Sequence, residues 1–459
     1  MGVTRRTLLQ GTAFAAACWG TGTATATAAD TNWAKLRRRL GDRLVLPQDP
    51  RYDELRVPWN TLYADRRPAA IARCVRAEDV QACLEFAAHE RIPVAARSGK
   101  HSYAAYSLPE NGLVVDLAAL SRVAVAGSRA RVGAGAQLLP VYEAIGAAGQ
   151  ALPAGTCRSV GIGGLTLGGG ISVLGRKYGL TSDHLVSARV VTPDGCLRTA
   201  SEHSEPDLYW ALRGGGGGNF GIVTEFTFRT DPAPGLTVFR LAYPAGAAAD
   251  AFDAWQEWMD GAPDELWSGC TVEANPDAVT GVGGVYVGPK KNLAPLLDKM
   301  PPATRTVEEM SYLEAMRYYA GGPGPGFRFA ASSRMLRHHL SGQHVADLVQ
   351  EQTDGAVLFD SFGGALGRVA PDATAFPHRD AKASAQIFFG AEGRTEAAAR
   401  KAVAEVRDGL GAGTTGYVNY IDPEMPDWPT AYYGRNLARL RRVARRYDPD
   451  RVLAFPQGL

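Results

Sequence analysis

Sixteen glycines stand between Gly155 and Gly221, twelve of them in three tight clusters: Gly161-Ile162-Gly163-Gly164, Gly168-Gly169-Gly170, and Gly214 through Gly218 with Gly221. Backbone without a Cβ lets amides approach a ligand closely and adopt positive φ, which is how phosphate-bearing groups are cradled. The chain has 53 glycines in 459 residues, so nearly a third fall in this one stretch. Low complexity does not explain them. With 46% apolar residues, and Gly plus Pro below a quarter of the chain, a substantial core can form. The length suits two or three domains.

Gly216-x-Gly218-x-x-Gly221 formally matches a dinucleotide fingerprint, which must follow a strand and open a helix. Here Ile222, Thr224, Phe226 and Phe228 alternate as in a strand, so that fold is excluded. Gly99-Lys100 is not a phosphate loop either, because no Ser or Thr follows the lysine and no glycine stands five positions before Gly99.

Thr4-Arg5-Arg6-Thr7-Leu8-Leu9, a short apolar run and the small residues Ala24 to Ala29 predict a twin-arginine signal peptide over 1–29. No other apolar stretch is long enough to span a bilayer, so a soluble exported protein is expected. Beyond residue 29, 47 basic residues face 47 acidic ones, which argues against nucleic acid as partner. The arginines from Arg435 to Arg446 read as the wet side of a helix carrying Leu437, Leu440, Val443 and Tyr447 inward. Twin-arginine export commonly carries proteins folded around a cofactor. Five cysteines follow the signal, an odd number, with no zinc-ligand spacing.

Along the chain, 70–75 reads as a strand, 78–91 as a helix and 92–96 as a strand, a βαβ unit. Strands at 113–117 and 130–132, a helix at 138–148, an aromatic helix around 252–259, a loop at 321–326 and strands at 357–362 and 385–389 follow. Composition shifts after Asp231-Pro232-Ala233-Pro234-Gly235, placing a domain boundary near 232.

Several motifs resemble, in order, those of the berberine bridge enzyme-like FAD-linked oxidases: Arg97-Ser98-Gly99-Lys100-His101-Ser102-Tyr103, Gly155-Thr156-Cys157 through Gly164, Gly168 to Gly170 with Arg176 to Leu180, Leu208 to Gly221, Tyr417 to Asp422, Tyr432 to Asn436, and the closing Phe455-Pro456-Gln457. The resemblance runs from about residue 60 to the end. It implies an α+β protein: a two-subdomain FAD-binding domain of the p-cresol methylhydroxylase (PCMH) type over 30–232, then a substrate domain over 233–425 with a large antiparallel sheet and flanking helices. Residues 426–459 would return to the FAD domain.

The resemblance further implies FAD bonded covalently through His101 and also Cys157. It is cradled by Arg97, Ser98, Gly99, Lys100, Ser102, Tyr103, Gly161, Gly163, Gly164, Gly168, Gly169, Gly221, Ile222, Val223, Tyr433 and Asn436. Lys100 replaces the usual Gly and is read as a possible phosphate charge. With Cys157 on the flavin, Cys74 and Cys83 could pair if their Cα atoms lie within about 7 Å. Tyr420 matches the family's catalytic base, with Tyr417 the alternative; on a strand, their odd separation puts them on opposite faces, so only one faces the flavin. Val160 matches the position governing oxygen access, implying an oxidase that makes hydrogen peroxide. Trp428, Tyr432, Tyr433 and Tyr417 are candidate aromatic platforms, and His378 is read as structural. The expected substrate is a small molecule with an oxidisable alcohol, a sugar or a secondary metabolite. Alternatives are oxidative cyclisation or dehydrogenation of a natural-product intermediate, or electron transfer to a partner protein; a monomer or homodimer is expected.

Overall fold

The structure, a computed structural model, describes residues 31–322 and 324–459; the signal segment expected at 1–29 lies outside them. Strands Ala70–Arg73, Leu113–Asp116 and Val94–Arg97 run parallel in that spatial order, with Leu44–Val45 antiparallel at the edge. Helix Ala77–Glu90 makes the crossover and buries Val80, Cys83, Leu84 and Ala87 against them. Leu113–Asp116 thus fills the gap inside the expected βαβ unit. Cys74 and Cys83 meet in this core as free thiols, their Sγ atoms 3.9 Å apart.

A second, antiparallel sheet takes the order Val123–Ala126, Arg129–Gly133, Ile222–Arg229, Leu185–Val191, Leu197–Ser201. Its central strand begins immediately after Gly221. Ile222, Val223, Phe226 and Phe228 are buried in it, so the glycine fingerprint opens a strand, as the alternation predicts.

Seven antiparallel strands make the third sheet, in the order Thr304–Ser311, Gly235–Tyr243, Thr280–Val287, Leu266–Glu273, Gly355–Ser361, Ala383–Gly390, Phe329–Leu336. Helices Ala248–Asp260, Gly342–Gln350 and Glu396–Gly409 cover one face. Side chains alternate across it. Leu266, Cys270, Val357, Phe359, Ala385, Ile387 and Phe389 enter the core under the helices, while Trp267, Leu358, Asp360, Gln386 and Phe388 point to a cavity on the other face.

The final helix, Leu437–Tyr447, buries Leu440, Val443, Ala444 and Tyr447 and leaves Arg441, Arg442, Arg445 and Arg446 in solvent. Its buried face joins the core that holds the first two sheets. Arg439 lies over the Trp210 ring at 4.1 Å and pairs with Asp207 at 2.8 Å. No helix among the described residues is long and apolar enough to cross a membrane.

Candidate active site

Two loops carry the proposed flavin tethers, and they interlock backbone to backbone. A Cβ on Gly99 would stand 2.2 Å from the Gly161 nitrogen and 2.6 Å from the Ser159 carbonyl; one on Gly161 would stand 2.0 Å from Ser98 Oγ. Only glycine permits that approach. Ser98 Oγ donates to the Ala134 carbonyl at 2.6 Å, Leu138 N–H donates to the Val160 carbonyl, and Ile162 N–H to the Ala136 carbonyl, tying both loops to the neighbouring segment. His101 emerges from one loop and Cys157 from the other. Between them stands Ser159, its Oγ 2.9 Å from His101 Nε2 and 3.9 Å from Cys157 Sγ. Trp59 stacks on His101 with ring centroids 4.5 Å apart, and burial lowers the imidazole pKa to about 4, so the ring is neutral at physiological pH.

These loops border a cavity of about 680 Å³. Ser98, Gly99, Lys100, His101, Ser102, Tyr103, Cys157, Val160, Gly161, Gly163, Gly164, Gly221, Ile222, Val223, Tyr417, Tyr420 and Tyr433 all line it. The lining fits an extended flavin nucleotide. A Cβ on Gly164 would meet nothing within 4 Å and one on Gly217 only Leu167 at 3.8 Å, so both glycines hold space open on the cavity side. Lys100 adopts φ +66°, the left-handed region, at a cost of about 1–2 kcal/mol that glycine would avoid. Its ammonium ion-pairs with no carboxylate among the described residues and rests 3.4 Å from the Glu54 carbonyl.

Four residues expected at the cofactor do not line this cavity, and each has protein partners of its own. Arg97 is buried in an ion pair with Asp116 at 2.5 Å. Asn436 donates to the carbonyls of Pro371, Thr374 and Ala375. Gly168 packs against the Asn419 amide and Gly169 against the Phe376 ring. The second glycine cluster therefore makes room for the Tyr417 segment, as its third member also shows: Gly170 N–H donates to Tyr417 Oη at 3.0 Å. Trp428 and Tyr432 likewise do not reach the cavity. His378 is buried, with Nε2 3.2 Å from the Tyr432 carbonyl.

The two catalytic candidates do not sit on a strand. Tyr417 is extended, Val418–Tyr420 form a single 3-10 turn, and Tyr420 N–H donates to the Tyr417 carbonyl at 2.9 Å. In such a turn positions three apart come together rather than opposing, so both rings meet edge to face at 4.9 Å and both line the cavity. Their environments differ. Tyr417 Oη accepts from Gly170 N–H and from Asn419 Nδ2 at 2.8 Å; burial nonetheless raises its pKa to about 12. The Tyr420 hydroxyl makes no protein hydrogen bond among the described residues, and its ring stacks on Tyr103 at 5.6 Å. Burial, then the charge of Asp360, pushes its pKa well up.

Asp360 escaped the sequence reading, although a lone carboxylate inside an apolar strand is itself a signal, because burying one is costly. It borders the cavity beside the tyrosines, and burial raises its pKa to about 7 against an opposing hydrogen bond from Ser384. Gln386 on the next strand donates to Tyr103 Oη. Trp267 and Tyr319 also line the cavity, with Trp267 Nε1 and Tyr319 Oη buried and without a hydrogen-bond partner among the described residues.

Comparison with known proteins places this geometry. A family model described as an FAD binding domain matches residues 68–201, and one described as berberine and berberine like matches 416–459. The chain is 36% identical over 445 residues to an uncharacterized FAD-linked oxidoreductase of Bacillus subtilis (strain 168), covering 92% of this chain and 98% of that protein. It belongs to the berberine bridge enzyme-like FAD-linked oxidoreductases. Solved structures of this family superpose over nearly the whole chain. Xylooligosaccharide oxidase from Myceliophthora thermophila C1, in complex with xylobiose, matches with a TM-score of 0.86 at 28% identity, covering 94% of this chain and 99% of that one. Glucooligosaccharide oxidase from Acremonium strictum, described with a 6-S-cysteinyl, 8α-N1-histidyl FAD, matches at 0.83 and 27% identity, covering 91% and 97%. A berberine bridge enzyme-like chain with the α+β fold of these oxidases is thus an FAD-linked oxidoreductase.

Proposed function

We propose that this chain is an exported oxidase that removes hydride from an alcohol or hemiacetal carbon of a sugar or secondary metabolite, using FAD held through His101 and Cys157. One observation carries the reading: a single cavity runs from the two facing tether side chains to a cluster of Tyr103, Tyr417, Tyr420 and Asp360. When bound, FAD supplies the ring that takes the hydride. The protein's part is to remove the hydroxyl proton. Tyr420 Oη, free of protein hydrogen bonds among the described residues, accepts that proton while its own passes by way of one water to Asp360, whose pKa of about 7 suits a base at neutral pH. Tyr417 is held by its two donors and fixes the turn that presents Tyr420. Lys100, in the cavity lining, would supply a positive charge for the diphosphate.

The carbohydrate oxidases among the relatives favour a hydroxyl of a sugar as the group oxidised. Dioxygen as acceptor rests on Val160, half-buried in the lining beside Cys157. The signal motif at Thr4-Arg5-Arg6 supports export. The test is the purified protein: yellow, retaining flavin after acid precipitation, and releasing peroxide with oligosaccharide substrates. Val160→Leu should slow reoxidation in air after anaerobic reduction. Colourless protein, or wild-type flavin that stays reduced for minutes in air, overturns the reading.

A further inference from the structure

Ser159 belongs to neither tether, yet its hydroxyl touches both. Its Oγ stands 2.9 Å from His101 Nε2 and 3.9 Å from Cys157 Sγ, in a loop that cannot drift because Gly99 and Gly161 are in backbone contact across it. A neutral imidazole carries one N–H, and the nitrogen without it is the nucleophile. Which nitrogen that is depends on what the other one bonds to.

We propose that Ser159 is the positioning residue for flavin attachment: its oxygen accepts the Nε2–H of His101, leaving the Nδ1 lone pair facing the cavity, and its own O–H points to Cys157 Sγ. The proposal rests on the reading that these two residues carry the FAD. Each link balances as an oxidative coupling with dioxygen. The imidazole N–H and one C–H of the flavin 8α-methyl group are broken, the Nδ1–C bond forms, and the two protons and two electrons released convert O2 to H2O2. The Cys157 S–H and the flavin C6–H are exchanged for an S–C6 bond in the same way. As Nδ1 bonds to carbon the Nε2 proton becomes acidic, and Ser159 is the first acceptor on its path out. The lowered His101 pKa agrees, since no proton has to leave Nδ1 before it can react.

The test uses full-length protein produced under riboflavin limitation, with FAD added and samples taken over time. Peptide masses report the His101 and Cys157 adducts separately, beside total bound flavin and melting temperature. In Ser159→Ala the His101 adduct should form about tenfold more slowly, the loss of roughly one hydrogen bond to a charge-developing group, with total flavin and melting temperature near wild type. Ser159→Thr, which keeps the hydroxyl, should restore the rate. Equal rates in wild type and Ser159→Ala overturn the proposal, as does a Thr variant no better than Ala, or attachment falling only in step with flavin content and melting temperature. Wild type that releases all its FAD in acid overturns the tethers themselves and this proposal with them, whereas adducts in both proteins at equal rates remove only Ser159's part.

Discussion

Replacing Asp360 by Asn should make the protein more stable at alkaline pH while impairing catalysis. The carboxyl has an ordinary value of 3.8 and is raised to about 7 by burial in the folded chain. The folded state therefore holds this proton more tightly than the unfolded state does. Its contribution to stability is complete below the ordinary value and is lost as pH rises through the folded one. At 1.36 kcal/mol per pH unit the full gap is worth about 4 kcal/mol, a ceiling because the side chain still meets cavity water. Between pH 4.5 and 8 the stability of wild type should fall by about 3 kcal/mol relative to Asp360→Asn. Urea unfolding followed by tryptophan fluorescence across that range measures it. The kcat of wild type should rise through neutral pH as Asp360 ionises, while the variant loses that limb and about 10²-fold or more in rate. A stability difference that stays flat from pH 4.5 to 8 would refute the reasoning.

The two tyrosines should separate stability from chemistry. Tyr417→Phe strips the acceptor from Gly170 N–H and Asn419 Nδ2, so it should cost about 2 kcal/mol or more in urea melts. Tyr420→Phe should melt like wild type yet lose about 10²-fold or more in kcat. Gly161→Ala drives a Cβ to 2.0 Å from Ser98 Oγ, which should destabilise the chain by about 1–3 kcal/mol and lower covalent flavin. Gly164→Ala meets no protein atom within 4 Å and should leave the melting temperature of flavin-free protein unchanged while lowering FAD content, read by absorbance of the purified protein.

What could be read from residues followed local rules. The alternation of Ile222, Thr224, Phe226 and Phe228 announced a strand because one side-chain set is buried and the next less so. The amphipathic spacing of Leu440, Val443 and Tyr447 announced the last helix for the same reason. Where long-range packing decides, local rules gave no view of it. Nothing local to Gly168 and Gly169 shows that their missing Cβ atoms admit Asn419 and Phe376, residues more than two hundred positions away. Tyr417 and Tyr420 looked like strand neighbours, yet Ser333 Oγ accepts the Tyr417 N–H at 2.8 Å and Gly170 fixes its hydroxyl, and those distant contacts impose the tight turn. Asp360 hid among apolar neighbours because its place in the cavity wall depends on the face it shares with Gln386, one strand over.

The seven-stranded sheet carries two independent messages in one ribbon. Val357, Phe359, Ala385 and Ile387 are answerable to the helices behind them, and Leu358, Asp360, Gln386 and Phe388 to whatever enters the cavity. Adjacent letters of the strand therefore answer to different physical constraints. A substitution at every second residue reshapes the cavity wall while the contacts to the helices behind the sheet stay as they are.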